Sequence, residues 1–512
     1  MLLGDALEHH AAVNPFGEAL IFGERRLTWK DLNEGANRAA ATFLRLGAVH
    51  GDRVVLLMNN SIEFVEAYYG LSKIGCISAP VMPTLVGSEI AFIANTLRAR
   101  IALVEAPAAD LWRTAAADVP SIESVIGTGI GHDLAYDWNA LTATAPGENP
   151  SVPVSPQDDL TVKFTSGTTG TPKGCVRTHH NFIMSALSAL IEMPIREDDV
   201  GLVAQPLAAG MAISFLTIYI FRGIPTVMLP RFDAGQYLDA VERERVSHAT
   251  AMDWMMRRIS AHPTFPGRDL SSIRTLHGIN QLGSLPPLLA QGTFRGGLTA
   301  GYASSEAGGL VSFKTPADFR RVLSDPDFAG GYSSGRPGRL YRVECLDDQL
   351  QPLPAGEVGE LAIRGPSVFR GYWERPEETA KTLRGGWLLT GDLAEKDKDG
   401  YIHLRGRKRD VIRTGGMNVY PAEIEPLLLT YPGITEAAVI GVPDPEWGER
   451  VVACVIASQP TTADDVMAYC RQKLAPHKRP KNVEFFDRFP LTGSGKVIKR
   501  ELIQLLGSKV FS

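Results

Sequence analysis

The chain has 512 residues, 44% of them hydrophobic and 21% charged, and carries a formal net charge of −5. Such a composition belongs to an ordinary globular protein, and the length calls for more than one domain. A balance this near neutrality supplies no field to steer DNA or RNA, which excludes nucleic acid as an expected partner.

At the N-terminus, Asp5 and Glu8 in MLLGDALEHH break the apolar stretch that a secretory signal requires. LTWKDLNEGANRAAATFLRLG (27–47) has helical spacing, and DRVVLLM (52–58) reads as a short strand. IEFVEAYYGLSKIG (62–75) is helical again, and CISAPVMP (76–83) reads as a buried strand. Strand, helix, strand in sequence implies a parallel sheet with helices on its faces. The rhythm returns near 200–260 with VGLVAQP, an apolar segment, GIPTVMLP and YLDAVERERVSHATAM. The longest apolar run, AISFLTIYIF (212–221), is too short to span a bilayer and is expected to be a buried strand or helix.

Between 330 and 408 the texture changes to short strands with glycine and proline turns, which suggests a small antiparallel β-subdomain. After 410 an α+β pattern follows: AEIEPLLLTY as helix, ITEAAVIGVPD and RVVACVIAS as strands, DDVMAYCRQKLA as helix. The charged stretch GRKRD (406–410) is the expected boundary, giving an N-terminal domain 1–408 and a C-terminal domain 409–512. Cys76, Cys175, Cys345, Cys454 and Cys470 are scattered and form no CxxC pair, so neither a disulfide framework nor a zinc site is expected. A reducing, cytoplasmic setting fits, and the tail GSKVFS carries no peroxisomal tripeptide.

One stretch is unlike the rest: FTSGTTGTPKG, residues 164–174. The preceding VKF reads as a strand, so the glycine-rich turn starts at a strand's C-terminal end, where open α/β sheets place ligands. Glycines let backbone N–H groups approach an anion, while Ser166, Thr168 and Thr169 offer hydroxyl donors and Lys173 a positive charge. The ligand implied is a polyphosphate; the plain alternative is a solvated Gly/Thr loop. It is not a Walker loop, since GxxxxGK[ST] fits no register here. GTGIG (127–131) also fails the dinucleotide fingerprint, because His132 stands where the last glycine belongs.

The stretch has company. YASSE (302–306), TGD (390–392), GRKRDVIRTGGMNVYPAEIE (406–425) and PLTGSGKVIKR (490–500) follow it in order. Together these resemble the motifs of the acyl-adenylate-forming (ANL) superfamily, AMP-dependent synthetases and ligases, over about residues 5 to 505. The fold this implies is α/β: a large N-terminal domain of parallel-rich sheets with helices plus a small β-barrel-like subdomain, then a small mobile α+β C-terminal domain. The activity implied is activation of a carboxylic acid by ATP with release of pyrophosphate. Both reactants are anions, so the site must supply positive charge and orientation.

The resemblance implies roles residue by residue. Lys496 would bridge the acid and the α-phosphate, Lys173 would serve the phosphates, and Glu306 would hold Mg²⁺. The nucleotide would meet Thr165, Ser166, Gly167, Thr168, Thr169, Gly170, Gly278, Tyr302 and Ser305, with Asp392 and Arg407 at the ribose. Arg409 falls at the hinge, and Gly415 and Gly416 would line the tunnel for the second nucleophile. Taken singly each has a bland alternative: Glu306 a helix-start carboxylate, Asp392 a turn residue, Lys496 a solvated tail lysine.

GWLLTGDLAEKDKDGYIHLRGRK, GVPDPEWGE and FFDRFPLTGSGKVIKREL resemble acyl-CoA synthetases, which makes coenzyme A the expected acceptor. An amine or a carrier-protein thiol is the alternative acceptor, and a non-catalytic nucleotide sensor the alternative class. No acid stands in QPLAAGMAIS (205–214), which disfavours an amino-acid substrate. Three departures bear on the acid: Ala208 and Ala209 replace an aromatic and a histidine, Ile279 and Asn280 replace the small residues of a GGA turn, and Ala303 replaces glycine. A buried Asn280 needs a partner, so a polar or aromatic acid is the expected substrate, unless Asn280 simply bonds nearby backbone. Met211, Met252, Trp254 and Met255 are pocket candidates or ordinary core. The expected partners are therefore a small-molecule acid, ATP and coenzyme A, with no membrane span; homodimerisation is left open.

Overall fold

The computed structural model describes the chain except residues 166–171, 279–287, 289–291, 325–332, 492–496 and 511–512. It divides into two compact units, one of Met1–Arg342 with Ile363–Leu388 and one of Val343–Ala362 with Leu389–Ser512.

The first unit holds two large sheets. An eight-stranded sheet runs in the order Gly371–Tyr372, Lys173–Thr178, Asp159–Thr165, Ile77–Val81, Arg53–Leu57, Ile101–Glu105, Ser124–Thr128, Tyr136–Asp137. From Asp159–Thr165 onward its pairings are parallel, as the strand–helix–strand rhythm predicts. At the other end Lys173–Thr178 and Gly371–Tyr372 are added antiparallel. The seven-stranded sheet runs Gly297–Thr299, Thr275–His277, His248–Thr250, Gly201–Val203, Thr226–Met228, Glu18–Phe22, Arg25–Thr28 and is parallel except for its last pair.

Helices cover the sheets for local reasons. Trp29–Arg45 starts at Thr28, whose hydroxyl accepts from the Asp31 N–H while Asp31 accepts from the Thr28 N–H. Its apolar face, Trp29, Leu32, Ala36, Ala40 and Phe43, is wholly buried. Gly70 of the helix Ile62–Lys73 lies against that face, where a Cβ would come within 2.6 Å of the Ala36 carbonyl. The apolar run at 212–221 is a helix, Met211–Arg222, closed by Gly223 at φ 76°. Among the described residues no helix is long and apolar enough to cross a membrane.

The second unit carries most of a five-stranded sheet that includes Arg342–Leu346, Gly359–Arg364, Trp387–Lys396 and Ile402–Arg407. Its second sheet runs Met417–Val419, Ile412–Thr414, Gly448–Ala457, Ile434–Asp444, with Asn482–Phe485 parallel beside Gly448–Ala457. Residues of Pro421–Leu428 and Ala463–Lys473 join one apolar cluster of this sheet, and Leu502 and Leu506 of Lys499–Val510 join the other. Residues 343–362 and 389–396 group with the C-terminal residues because the strands Arg342–Leu346, Gly359–Arg364, Trp387–Lys396 and Ile402–Arg407 share one sheet.

Candidate active site

The strand Asp159–Thr165 leads into the glycine-rich stretch, and Lys173–Thr178 returns from it antiparallel. Their register sets Thr165 opposite Lys173, Lys163 opposite Cys175 and Thr161 opposite Arg177. Strand alternation sends Val162, Phe164 and Val176 into an apolar core. The opposite face therefore gathers Thr165, Lys163, Lys173, Cys175 and Arg177. Tyr372 pairs with Cys175 from the far side and joins the same face.

Tyr372 ties two of the expected site residues together. The Lys173 ammonium sits 5.0 Å from the centre of its ring, and its hydroxyl donates to Glu306 Oε1 at 2.9 Å. Burial first, and the Glu306 charge second, push the Tyr372 phenol up, so it stays a protonated donor. Glu306 itself stands in a turn between the short strands Ala303–Ser304 and Gly309–Leu310.

That turn is bolted on several sides. Phe369 N–H donates to the Glu306 carbonyl at 2.9 Å, and Ser367 Oγ donates to the Ala307 carbonyl at 2.6 Å. Ser367 in turn accepts from the Tyr341 hydroxyl at 2.7 Å. Gly308 adopts φ 84°, and a Cβ there would strike the Ser367 carbonyl and the Arg177 guanidinium. Arg177 is buried and donates to the Asn181 side chain and carbonyl, both at 3.1 Å. Burial pulls it down to about 10, which leaves it charged at neutral pH.

Other expected residues fall at varied distances from this cluster. Tyr302 is buried, Ser305 half-buried and Ala303 exposed, all on the Glu306 hairpin or beside it. Gly278 follows the strand Thr275–His277 at φ 112°, where a Cβ would lie 3.0 Å from the Ala251 carbonyl and 3.2 Å from Met252 Sδ. Ala209 ends the turn Leu207–Ala209, and its carbonyl accepts from the Lys163 ammonium. Met211 opens the next helix against the main core, and Met255 is wholly buried. Trp254 is 42% exposed, edge-on to Phe232 at 5.1 Å with Arg258 over its ring. Among the described residues no contact joins Trp254 to the Lys173–Glu306 group. Ser166, Gly167, Thr168, Thr169, Gly170, Asn280 and Lys496 lie outside the described residues.

In the second unit, strand register faces Asp392 to Arg407, and Arg407 Nε meets Asp392 Oδ1 at 2.8 Å. Arg407 also donates to the Thr390 carbonyl at 3.1 Å, which braces TGD from below. Arg409 lies in the short turn Lys408–Asp410 with Asp410 at 3.4 Å. Gly415 and Gly416, at φ 56° and 77°, close a hairpin, and Gly415 N–H donates to the Trp447 carbonyl at 2.8 Å.

Sequence reading missed Tyr372 and Lys163. A faint signal existed for each: an aromatic pair, Tyr372–Trp373, after Gly371, and a cation at an alternating position of VKF. Among the described residues no group of three or more His, Cys, Asp or Glu could hold a metal. Mg²⁺ commonly takes only one or two carboxylates and fills its remaining positions with phosphate and water, so a single carboxylate such as that of Glu306 is compatible with it.

The sequence matches the family described as AMP-binding enzyme over residues 7–373 and the AMP-binding enzyme C-terminal domain over 423–496. It is 35% identical over 510 residues to a feruloyl-CoA synthase of an Amycolatopsis species, covering 99% of each chain. It is 31% identical to an indoleacetate–CoA ligase of Aromatoleum aromaticum, covering 100% of this chain and 99% of that one. Among solved structures, the anthranilate CoA ligase AuaEII in complex with anthranoyl-AMP superposes with a TM-score of 0.89 at 25% identity, covering 99% and 97%.

Proposed function

The chain belongs to the AMP-binding enzyme family, the acyl-adenylate-forming ligases, and from that premise we propose that it converts an aromatic acid bearing a polar substituent into its coenzyme A thioester. The supporting relatives act, by name, on ferulate, indoleacetate and anthranilate. The observation that carries the reading is the Lys173–Tyr372–Glu306 cluster on the strand that follows the glycine-rich stretch and on its neighbours.

In the first half-reaction a carboxylate oxygen attacks the α-phosphorus of ATP and the bond to pyrophosphate breaks. Lys173 offsets phosphate charge, and the backbone N–H groups and hydroxyls of Thr165, Ser166, Gly167, Thr168, Thr169 and Gly170 cradle the leaving group. Glu306 is the residue that would hold Mg²⁺, which when bound neutralises phosphate charge. Tyr372 donates to Glu306 Oε1 and so holds the carboxylate in place for that duty. Tyr302, Ser305 and Gly278 flank the nucleotide, Asp392 accepts from the ribose hydroxyls with Arg407 behind it, and Lys496 bridges carboxylate and α-phosphate.

In the second half-reaction the coenzyme A sulfur attacks the acyl carbon, the bond to AMP oxygen breaks, and the thiol proton leaves to solvent. We assign this step to a rotated state of the domain 409–512, hinged at Arg409, with Gly415 and Gly416 beside the thiol. Ala209, Met211, Trp254, Asn280 and Ala303 are assigned to the acid's pocket. The cytoplasm is the assigned compartment, where the five buried thiols stay reduced.

The test is a panel of aromatic and alkyl acids with ATP. Pyrophosphate release that depends on the acid, followed by a thioester only when coenzyme A is added, is the expected result. Release of ADP and phosphate, or thioester formation that favours plain alkyl acids, would overturn the reading.

A further inference from the structure

Lys163 is a charged residue in a strand whose neighbours are core. Val162 is fully buried and Phe164 packs into the same apolar cluster, so Lys163 projects to the opposite face beside Thr165. Its ammonium donates to the Ala209 carbonyl, and a Cβ at Gly210 would strike it. The side chain is therefore aimed at the turn Leu207–Ala209, just ahead of the helix Met211–Arg222. Alanines at 208 and 209 bring no polar side chain to that turn, so the Lys163 ammonium is the side-chain cation aimed at this corner.

Three other charged groups, Glu306, Arg177 and Lys173, share the neighbourhood. The buried Cys175 thiol is pushed up by burial and by Glu306, against the pull of Lys163, Arg177 and Lys173. Arg177 is committed to Asn181 and the Gly308 turn, and Lys173 to the Tyr372 side. Lys163 is the cation of this face directed at the 207–210 corner. Bringing a carboxylate up to a phosphate sets two anions side by side, and a preorganised cation lowers that barrier most.

We propose that Lys163 binds the reacting carboxylate of the acid beside Ala209 and presents it to the α-phosphorus. The assignment rests on the acid–CoA ligase reading. The Ala209 carbonyl fixes the direction of the side chain, and an ammonium has N–H donors on more than one side.

The test is Lys163→Met, which keeps length and removes charge, measured in both half-reactions. kcat/KM for the acid in pyrophosphate release should fall about thirtyfold, equivalent to about 2 kcal/mol at about 1.4 kcal/mol per factor of ten. KM for ATP should stay within about twofold, because uniform nucleotide binding is untouched. Conversion of synthetic acyl-adenylate and coenzyme A to thioester should proceed within about threefold of the parent rate, since the adenylate has no free carboxylate to hold. This arm also reports that the variant is folded. An unchanged acid kcat/KM, a matching rise in the KM for ATP, or equal loss in both half-reactions would each overturn the proposal. A parent protein that releases no pyrophosphate with any carboxylic acid would instead bring down the ligase reading, and the proposal with it.

Discussion

Gly308→Ala is the sharpest structural perturbation of the proposed metal-binding turn. At φ 84° an alanine costs roughly 1–2 kcal/mol in backbone strain alone. Its Cβ would also strike the Ser367 carbonyl and the Arg177 guanidinium, so strain cannot be the whole cost. Relief requires the turn to lift, which stretches the Phe369-to-Glu306 and Ser367-to-Ala307 hydrogen bonds. Each is worth about 1 kcal/mol net, so the total is roughly 3–4 kcal/mol. Glu306 lies two residues away in the same turn, and a shift of about 1 Å at such a position costs about 10²-fold in rate. Thermal unfolding and acid-dependent pyrophosphate release are the assays. Gly51→Ala is the matched control, since Gly51 has the same φ of 84° with nothing within 4 Å of its Cβ. The control should lose stability by backbone strain only and keep its rate. Parental rate and parental Tm in Gly308→Ala would refute the claim that this turn is held in place for Glu306.

Three further outcomes are expected. Asp392→Asn weakens the Arg407 pair and the proposed ribose acceptor, so KM for ATP should rise about tenfold with little change in Tm, and an unchanged KM would remove Asp392 from the nucleotide. Lys496→Ala should slow adenylate formation by roughly 10² to 10⁴ yet consume supplied acyl-adenylate at near the parent rate; equal loss in both steps would deny the proposed division of labour. Burial, then Glu63, raises the Glu66 carboxyl from the ordinary 4.5 to about 7, with Arg25 and Arg38 opposing. The folded chain then binds a proton that the unfolded chain has released, so stability falls as pH rises from 4.5 to 7 and stays reduced above. Glu66→Gln should therefore melt higher than the parent at pH 8, by up to about 3 kcal/mol, and match it near pH 4.5. Equal melting at pH 8 would show that Glu66 ionises there without penalty.

The parts of the fold that were legible are those governed by local period. The strand before the glycine-rich stretch, the helices 29–45 and 62–73 and the parallel pairing between their strands follow from alternation and spacing. The apolar run at 212–221 was ambiguous because ten buried-looking residues suit a helix or a strand, and the Gly223 cap settles it as helix. Tyr372 was not legible. It reaches Glu306 only because a two-residue strand from position 371 pairs beside Cys175, a contact between residues 66 apart in sequence. Lys163 was hidden for a similar reason, since its partner Ala209 lies 46 residues away. The grouping of 343–362 with the C-terminal residues depends on strand pairing across the chain, which no local pattern announces.

Acid activation with AMP as the product requires a bond from the acid's own oxygen to the α-phosphorus of ATP. Supplying an aromatic acid labelled with ¹⁸O in both carboxylate oxygens, with ATP and coenzyme A, tests this directly. AMP should carry one labelled oxygen per thioester formed, and pyrophosphate none. Label in inorganic phosphate with ADP as the nucleotide product, or thioester formed with unlabelled AMP, would contradict it.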